Sequence, residues 1–433
     1  MTTLTLPDAA APPLSLTAPS AGPVVLVDAY STGALLARTF RTQARCVHVR
    51  SRSAMPEVFR ASVPNDIFEA SDTLDERGVD TLAHRVAAWQ PCAVVAASEF
   101  GVELADALAE RLGLPGNTTQ LSGARRNKFL MGEALAAANV PAAGQLRAAD
   151  LDTLLAWHAA NGGRRIVVKP LDSAGSDHVY LCDDAEQIAT AFHAIKGKTN
   201  LMMCENDAVL AQDYLEGEEY VVNSVSHGGL HRITDIWHSR KIELEGGRKI
   251  YDCEDLVDPD QAEIAQLVQY VSRALDALGI AHGPAHTELI LTPNGPRLLE
   301  TGARISGLAN PAALRRATGA DQIELTVACH LAPPQLARYP TTYRRKTHAR
   351  CVNLIAPESG GVFSHDAVRA LLAPLASFES IRLRLADGAL LRRTVDLNSS
   401  PGALFLVHDD PEQIERDYQT IRTWENRSRP QHS

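Results

Sequence analysis

The stretch that decides the fold reads Gly283-Pro284-Ala285-His286-Thr287-Glu288-Leu289-Ile290-Leu291 and, after the turn Thr292-Pro293-Asn294-Gly295, Arg297-Leu298-Leu299-Glu300-Thr301-Gly302-Ala303-Arg304-Ile305-Ser306-Gly307. It predicts two adjacent antiparallel strands, over 286–291 and 297–300, each carrying a carboxylate amid apolar neighbours. Side chains alternate across a strand, so the turn length allows Glu288 and Glu300 to stand together on one face. Carboxylates that close raise one another's pKa unless a cation lies between them. Mg²⁺ (or Mn²⁺) suits that place, since it takes one or two carboxylates and completes its shell with phosphate oxygens and water. Arg304, four residues beyond Glu300, is within reach of the same phosphate or of an acyl phosphate. Two ordinary exposed carboxylates on a sheet face would read the same way.

Working back along the chain, Arg165-Ile166-Val167-Val168-Lys169-Pro170 is a β-branched strand that ends on a lysine. The small-residue loop Ser173-Ala174-Gly175-Ser176 follows, and its backbone N–H groups can close over phosphate oxygens. It is not a Walker A loop, because G-x-x-x-x-G-K-[ST] is absent. A solvated lysine before a hairpin turn is the plain alternative. Farther on, Gln212-Asp213-Tyr214-Leu215-Glu216-Gly217-Glu218-Glu219 links two apolar strands. Such a crossing shows backbone groups to a flat heterocycle, with Gln212 for an exocyclic amine and Glu219 for ribose hydroxyls. A hairpin with a solvated acidic tip fits equally.

The whole chain sets bounds on these readings. Its 433 residues allow two to four domains, and 45% hydrophobic content supports several cores. No apolar run reaches the length of a transmembrane helix, so no membrane partner is expected. The 42 Lys+Arg against 52 Asp+Glu give a net charge of -10. No basic cluster is long enough to make a nucleic-acid face. Seven cysteines at wide spacing, without a C-x-x-C pair, indicate neither a zinc ribbon nor a disulfide framework. His178, His227 and His238 show no ligand spacing and are not assigned to a metal. With no signal peptide at the start, a cytoplasmic protein is expected.

Strands at 24–27, 46–49 and 92–96 alternate with helices at 33–41, 79–89 and 99–112, which predicts a parallel sheet covered on both faces. A helix over 127–139 follows. From about 143 strands joined by Gly-rich loops are expected, with a long amphipathic helix at 260–279. Residues 345–410 read as short strands with one helix, and a last helix starts at Pro411. The domain divisions are a disordered tail at 1–22, an α/β domain at 23–120 and a nucleotide-binding region at 121–335. That region splits into a lid at about 143–215 and a central sheet at about 216–335. A C-terminal α+β subdomain at 336–426 and a tail at 427–433 complete the chain. The charged segment 240–254, with Gly246-Gly247, is expected as a lid or substrate-contacting loop.

Four features in this order carry a resemblance: Arg126-Asn127-Lys128-Phe129-Leu130-Met131 opening a helix, Lys169 with its loop, the crossing from Gln212 to Glu219, and the pair Glu288 and Glu300. The chain resembles the ATP-grasp superfamily of carboxylate–amine ligases. The phrases Val27-Asp28-Ala29-Tyr30-Ser31-Thr32-Gly33 and Glu300-Thr301-Gly302-Ala303-Arg304 are similar to those of L-amino acid ligases, which make dipeptides. The resemblance implies an ATP-grasp fold, α/β and α+β, with ATP held between two α+β subdomains. It implies that Lys128, Lys169, Ser173, Ala174, Gly175 and Ser176 serve the phosphates, and that Gln212, Asp213, Tyr214, Leu215 and Glu219 serve adenine and ribose. Glu288 and Glu300 would hold one or two Mg²⁺ ions. Arg304 and Lys169 would stabilise the transferred groups through an acyl-phosphate intermediate. Amino acid contacts are expected among Glu99, His286, Lys241, Lys249, Arg304 and Gly307, in a homodimer by family habit. Many relatives have Asn where this chain has Gly302, which removes a third metal ligand. A γ-glutamyl ligase, a biotin-carboxylase-like enzyme and a non-catalytic nucleotide-binding module are the competing functions.

Overall fold

Val24–Val27 is wholly buried, as an uninterrupted apolar run must be when helices cover both faces of a sheet. It pairs in parallel with Cys46–Arg50 and Ala93–Ala96, and Ala70–Thr73 completes a four-stranded sheet. Helices Thr32–Arg41, Gly78–Ala87 and Val102–Leu112 pack against it. The computed structural model describes residues 2–5, 22–244 and 248–427. Residues 6–21 of the tail expected at 1–22, residues 428–433 of the tail expected at 427–433, and the Gly246-Gly247 pair lie outside the described residues.

A second, antiparallel sheet runs Gln145–Ala148, Val209–Asp213, Ile166–Pro170, Tyr180–Cys182. Helices Leu151–Ala160 and Ala185–Ile195 cover its apolar face. This corrects the expectation of strands and Gly-rich loops alone. Asp150 and Asp184 cap these helices by accepting from the N–H groups of Thr153 and Gln187, the usual satisfaction of orphan donors at a helix start.

The third sheet has nine antiparallel strands among the described residues, in the order Thr2–Thr5, Phe378–Leu383, Gly402–His408, His348–Asn353, Arg248–Leu256, Leu230–Leu244, Glu218–His227, Gly283–Thr292, Gly295–Gly302. Helix Ala262–Ala277 buries Ile264, Leu267, Val271 and Leu275 against it. Three expectations change here. Thr2–Thr5, expected within a disordered tail, is an edge strand paired with Phe378–Leu383. The described part of segment 240–254 is strand where a loop was expected: 240–244 and 248–254 lie in two paired strands. The boundary expected at 335 falls within one continuous sheet, because the C-terminal strands extend it through Arg248–Leu256. Among the described residues no helix is long and apolar enough to cross a membrane.

Candidate active site

Glu288 and Glu300 sit directly opposite one another in the register of Gly283–Thr292 and Gly295–Gly302. A bulge between Glu288 and Leu289 follows at once, the usual device for re-aiming a side chain beside a site. Both carboxylates line a cavity of about 510 Å³ between the second and third sheets, within the usual size of a cofactor site. Lys128 Nζ lies 2.5 Å from Glu300 Oε2 and donates to the Ser173 carbonyl at 2.6 Å. His286 Nε2 is 3.4 Å from Glu288 Oε1, and the Tyr251 hydroxyl donates to Glu288 Oε2 at 3.4 Å. Behind it, His286 Nδ1 donates to Asn223, whose amide donates to the buried Asp235. Burial alone would raise the Glu288 pKa. The His286 hydrogen bond and the charges of His286, Lys241 and Arg304 outweigh it and hold the carboxyl below its ordinary range.

Lys169 ends strand Ile166–Pro170 inside the cavity. Burial, and then the neighbouring Lys128, push its pKa down to about 8. On the opposite wall Lys241 Nζ pairs with Glu219 Oε1 at 2.6 Å and stands 4.2 Å from the centre of the Tyr251 ring. Burial disfavours the Lys241 cation, but Glu219, Tyr251 and Glu288 together raise its pKa well above the ordinary value. Lys249 donates to the Tyr214 hydroxyl at 3.1 Å.

Most of the residues expected at the site meet here. Lys128, Lys169, Gly175 and Ser176 line the cavity, as do Gln212, Asp213, Tyr214 and Leu215. Glu219, Lys241 and Lys249 complete its wall with Glu288 and Glu300. Gly217 turns the crossing at φ 148°, and a Cβ there would stand 2.2 Å from the Leu291 carbonyl oxygen, so only glycine fits.

Other expected residues lie outside the lining. The Ser173 hydroxyl donates to Asp177, and Ala174 packs on the cluster of Tyr30, Phe100 and Met202. His286 stands behind Glu288. Glu99 is engaged by two arginines: Arg304 Nε donates to it at 2.8 Å and Arg126 at 3.0 Å. Burial opposes its charge, but Arg304, Arg126 and Lys128 hold its pKa below normal. Gly307 is exposed, and its carbonyl accepts from Thr32 and Arg382.

The Asn-to-Gly departure at 302 has a physical reason. A Cβ on Gly302 would lie 2.5 Å from Glu99 Oε2 and 3.3 Å from Arg304 Nε. The Glu99–Arg304 pair occupies the space that a side chain at 302 would need.

Three site residues were missed in the sequence. Tyr251 reaches Glu288, and Glu254, pushed up to about 7 by burial, accepts from Ser239 at 2.9 Å beside it. Both belong to a strand concealed by its charge. Arg126, which bridges Glu99 and Asp172, stood in the quoted helix-opening phrase and was legible there.

A cleft between two antiparallel sheets, with convergent lysines beside an opposed carboxylate pair, suits the phosphates of a nucleotide. That is the architecture of an ATP-dependent ligase. Residues 163–312 match the ATP-grasp domain family. Dapdiamide A synthase of Enterobacter agglomerans is 33% identical over 405 residues, covering 92% of this chain and 95% of that one. The chain belongs to the ATP-grasp family, among its carboxylate–amine ligases, and is an ATP-dependent enzyme that forms C–N bonds. In fold it is similar to an L-amino acid ligase from Bacillus licheniformis, with TM-score 0.73 and 19% identity, over 93% of this chain and 97% of that one. Carboxyaminoimidazole ribonucleotide synthase from Aspergillus clavatus, complexed with ATP, has TM-score 0.70 and 15% identity, over 94% and 99%.

Proposed function

We propose that the enzyme joins two L-amino acids into a dipeptide, releasing ADP and phosphate. The observation that carries this reading is the opposed Glu288–Glu300 pair facing Lys128 and Lys169 in one cavity. The overall relatedness to a dapdiamide synthase favours amino-acid-like substrates. The donor set suits Mg²⁺ or Mn²⁺, because it offers only carboxylate oxygens, with Lys128 balancing the charge of Glu300. When bound, the ion neutralises charge on the phosphates. Lys128 and Lys169 bind phosphate oxygens, and the Leu215 backbone and Gln212 face the adenine. Glu219 accepts from the ribose, with Lys241 keeping its carboxylate in place.

In the first step a carboxylate oxygen of one amino acid attacks the γ-phosphorus. The bond to the β-phosphate oxygen breaks and ADP leaves. In the second, the neutral amine of the other amino acid attacks the acyl carbon, phosphate departs, and the nitrogen loses a proton. Arg304, steered by Glu99, faces the charge that builds on the transferred group. Positioning and charge neutralisation supply most of the acceleration in phosphoryl transfer. The site must also exclude water, which would hydrolyse the intermediate.

The test is ADP release with single amino acids and with pairs, joined to product mass. Dipeptide whose mass equals the pair less water is expected, lost on addition of EDTA. Glu288→Gln and Glu300→Gln should each lower turnover by about a hundredfold or more, as for losing several kcal/mol of charge stabilisation. ADP release that needs bicarbonate, with no dipeptide from any pair, would overturn the proposal.

A further inference from the structure

The central sheet carries a second cluster of ligating side chains, far from the cavity. Strand Glu218–His227 begins at the nucleotide wall with Glu219 and ends at His227, about 26 Å further on at the rise of a strand. His282 immediately precedes strand Gly283–Thr292, and Gly283 pairs with Ser226. Cys329 comes from helix Gln322–Leu331, which packs on both strands. Cys329 Sγ lies 3.6 Å from His282 Nε2 and 3.9 Å from His227 Nδ1. All three ligand atoms fall within 4.8 Å of one another.

The sulfur-to-nitrogen separations are a few tenths of an ångström longer than those that zinc imposes. With Zn–S of about 2.3 Å and Zn–N of about 2.0–2.1 Å, tetrahedral angles put sulfur and nitrogen about 3.5 Å apart. Two further observations point to a ligand. The His282 backbone is clamped on both sides by Asn117, which accepts from its N–H at 2.9 Å and donates to its carbonyl at 3.1 Å. A third imidazole, His330, stacks edge-on to His282 at 5.0 Å, and its Nε2 is buried without a hydrogen-bond partner. That nitrogen lies 3.8 Å from where a Cβ on Gly283, next to His282, would stand. Sulfur and imidazole together select zinc over the hard cation suited to Glu288 and Glu300.

We infer that His227, His282 and Cys329 form a zinc site separate from the catalytic cavity, with water in the fourth position. The Cys329 thiol donates to the Ser226 carbonyl at 3.1 Å; zinc replaces that proton, which passes to solvent. The bond ties a strand end, a strand start and a helix across sequence separations of 47 and 102 residues. The site thus acts as a staple between the central sheet and its helix layer.

The test uses the full chain, stripped with chelator and titrated with Zn²⁺ against a chromophoric competitor, without nucleotide. One equivalent per chain is expected, with a rise in melting temperature. Co²⁺ in place of Zn²⁺ should show a thiolate-to-cobalt charge-transfer band. Cys329→Ser should abolish that band, and His227→Gln should weaken zinc binding by about a hundredfold. His227 is only partly buried, at a strand end, so its variant serves if Cys329→Ser fails to fold. Glu300→Gln should leave zinc binding unchanged, which separates this site from the catalytic one. Absence of the cobalt band in the wild type, or zinc bound as tightly by His227→Gln as by the wild type, would overturn the inference.

Discussion

Lys169 shows how burial turns an ordinary side chain into a reporter of its ligand. Its pKa is lowered to about 8, by desolvation first and Lys128 second. A phosphate placed beside it would favour the charged form, so nucleotide binding takes up a proton above that pH. The sign follows directly: ATP affinity is full below about pH 8 and falls as pH rises through it. In the wild type the Kd for ATP should climb toward about tenfold per pH unit above 8. Lys169→Arg, whose guanidinium stays charged, should flatten the slope. Calorimetric titrations at several pH values check this, and equal slopes in the two proteins would remove Lys169 from the phosphate site. Residues of this kind were legible because their chemistry depends on local pattern: a lysine ending an apolar strand, and two carboxylates one turn apart. Tyr251 and Glu254 were not, since a bulge in their own strand, where Asp252 is left unpaired between Tyr251 and Cys253, interrupts the alternation that a sequence would show. His227, His282 and Cys329 were illegible for a simpler reason: ligands brought together by three elements leave no spacing.

At the scale of elements, the end of strand Gly295–Gly302 meets the single turn Glu99–Gly101 at the edge of the parallel sheet. A side chain at 302 would have to displace the Glu99 carboxylate, because Glu99 Oε2 lies 2.5 Å from where its Cβ would stand. Gly302→Ala should cost about 1–3 kcal/mol, the usual penalty for overpacking. In a Glu99→Ala background the same substitution should cost distinctly less, since the obstacle is gone. Denaturant unfolding of the four proteins of this double-mutant cycle measures the coupling; simple additivity would mean that Glu99 is not the obstacle. The elements best foreseen were those with one dry face, such as helix Ala262–Ala277 and strand Val24–Val27. Leu230–Leu244 was not foreseen, because one side of it lines a wet, charged cavity and breaks the apolar alternation. Helix Leu151–Ala160 was overlooked despite its Asp150 cap, which the sequence did display.

For the molecule as a whole, the cavity belongs to no single sheet. Lys169 and Gln212 come from the four-stranded antiparallel sheet, whereas Glu219, Lys241, Tyr251, Glu288 and Glu300 come from the nine-stranded one. A ligand that touches both walls is bound only when the two are folded and facing, so it stabilises them jointly. At a concentration 100 times its Kd, ATP with Mg²⁺ contributes about 2.7 kcal/mol by mass action. A chain with several cores need not unfold in one step, which makes a local readout preferable to one melting temperature. Hydrogen exchange supplies it, because protection follows the free energy of local opening. Added nucleotide should slow exchange in both Ile166–Pro170 and Gly295–Gly302, while Val24–Val27 stays as it was. Lys169→Ala should lose the effect in both sheets together at the same ATP concentration, because the deficit lies in binding and not in either wall. Protection confined to one sheet would mean that the nucleotide sits on a wall and does not bridge the cleft, and the phosphate and metal roles given to opposite walls would then fail together.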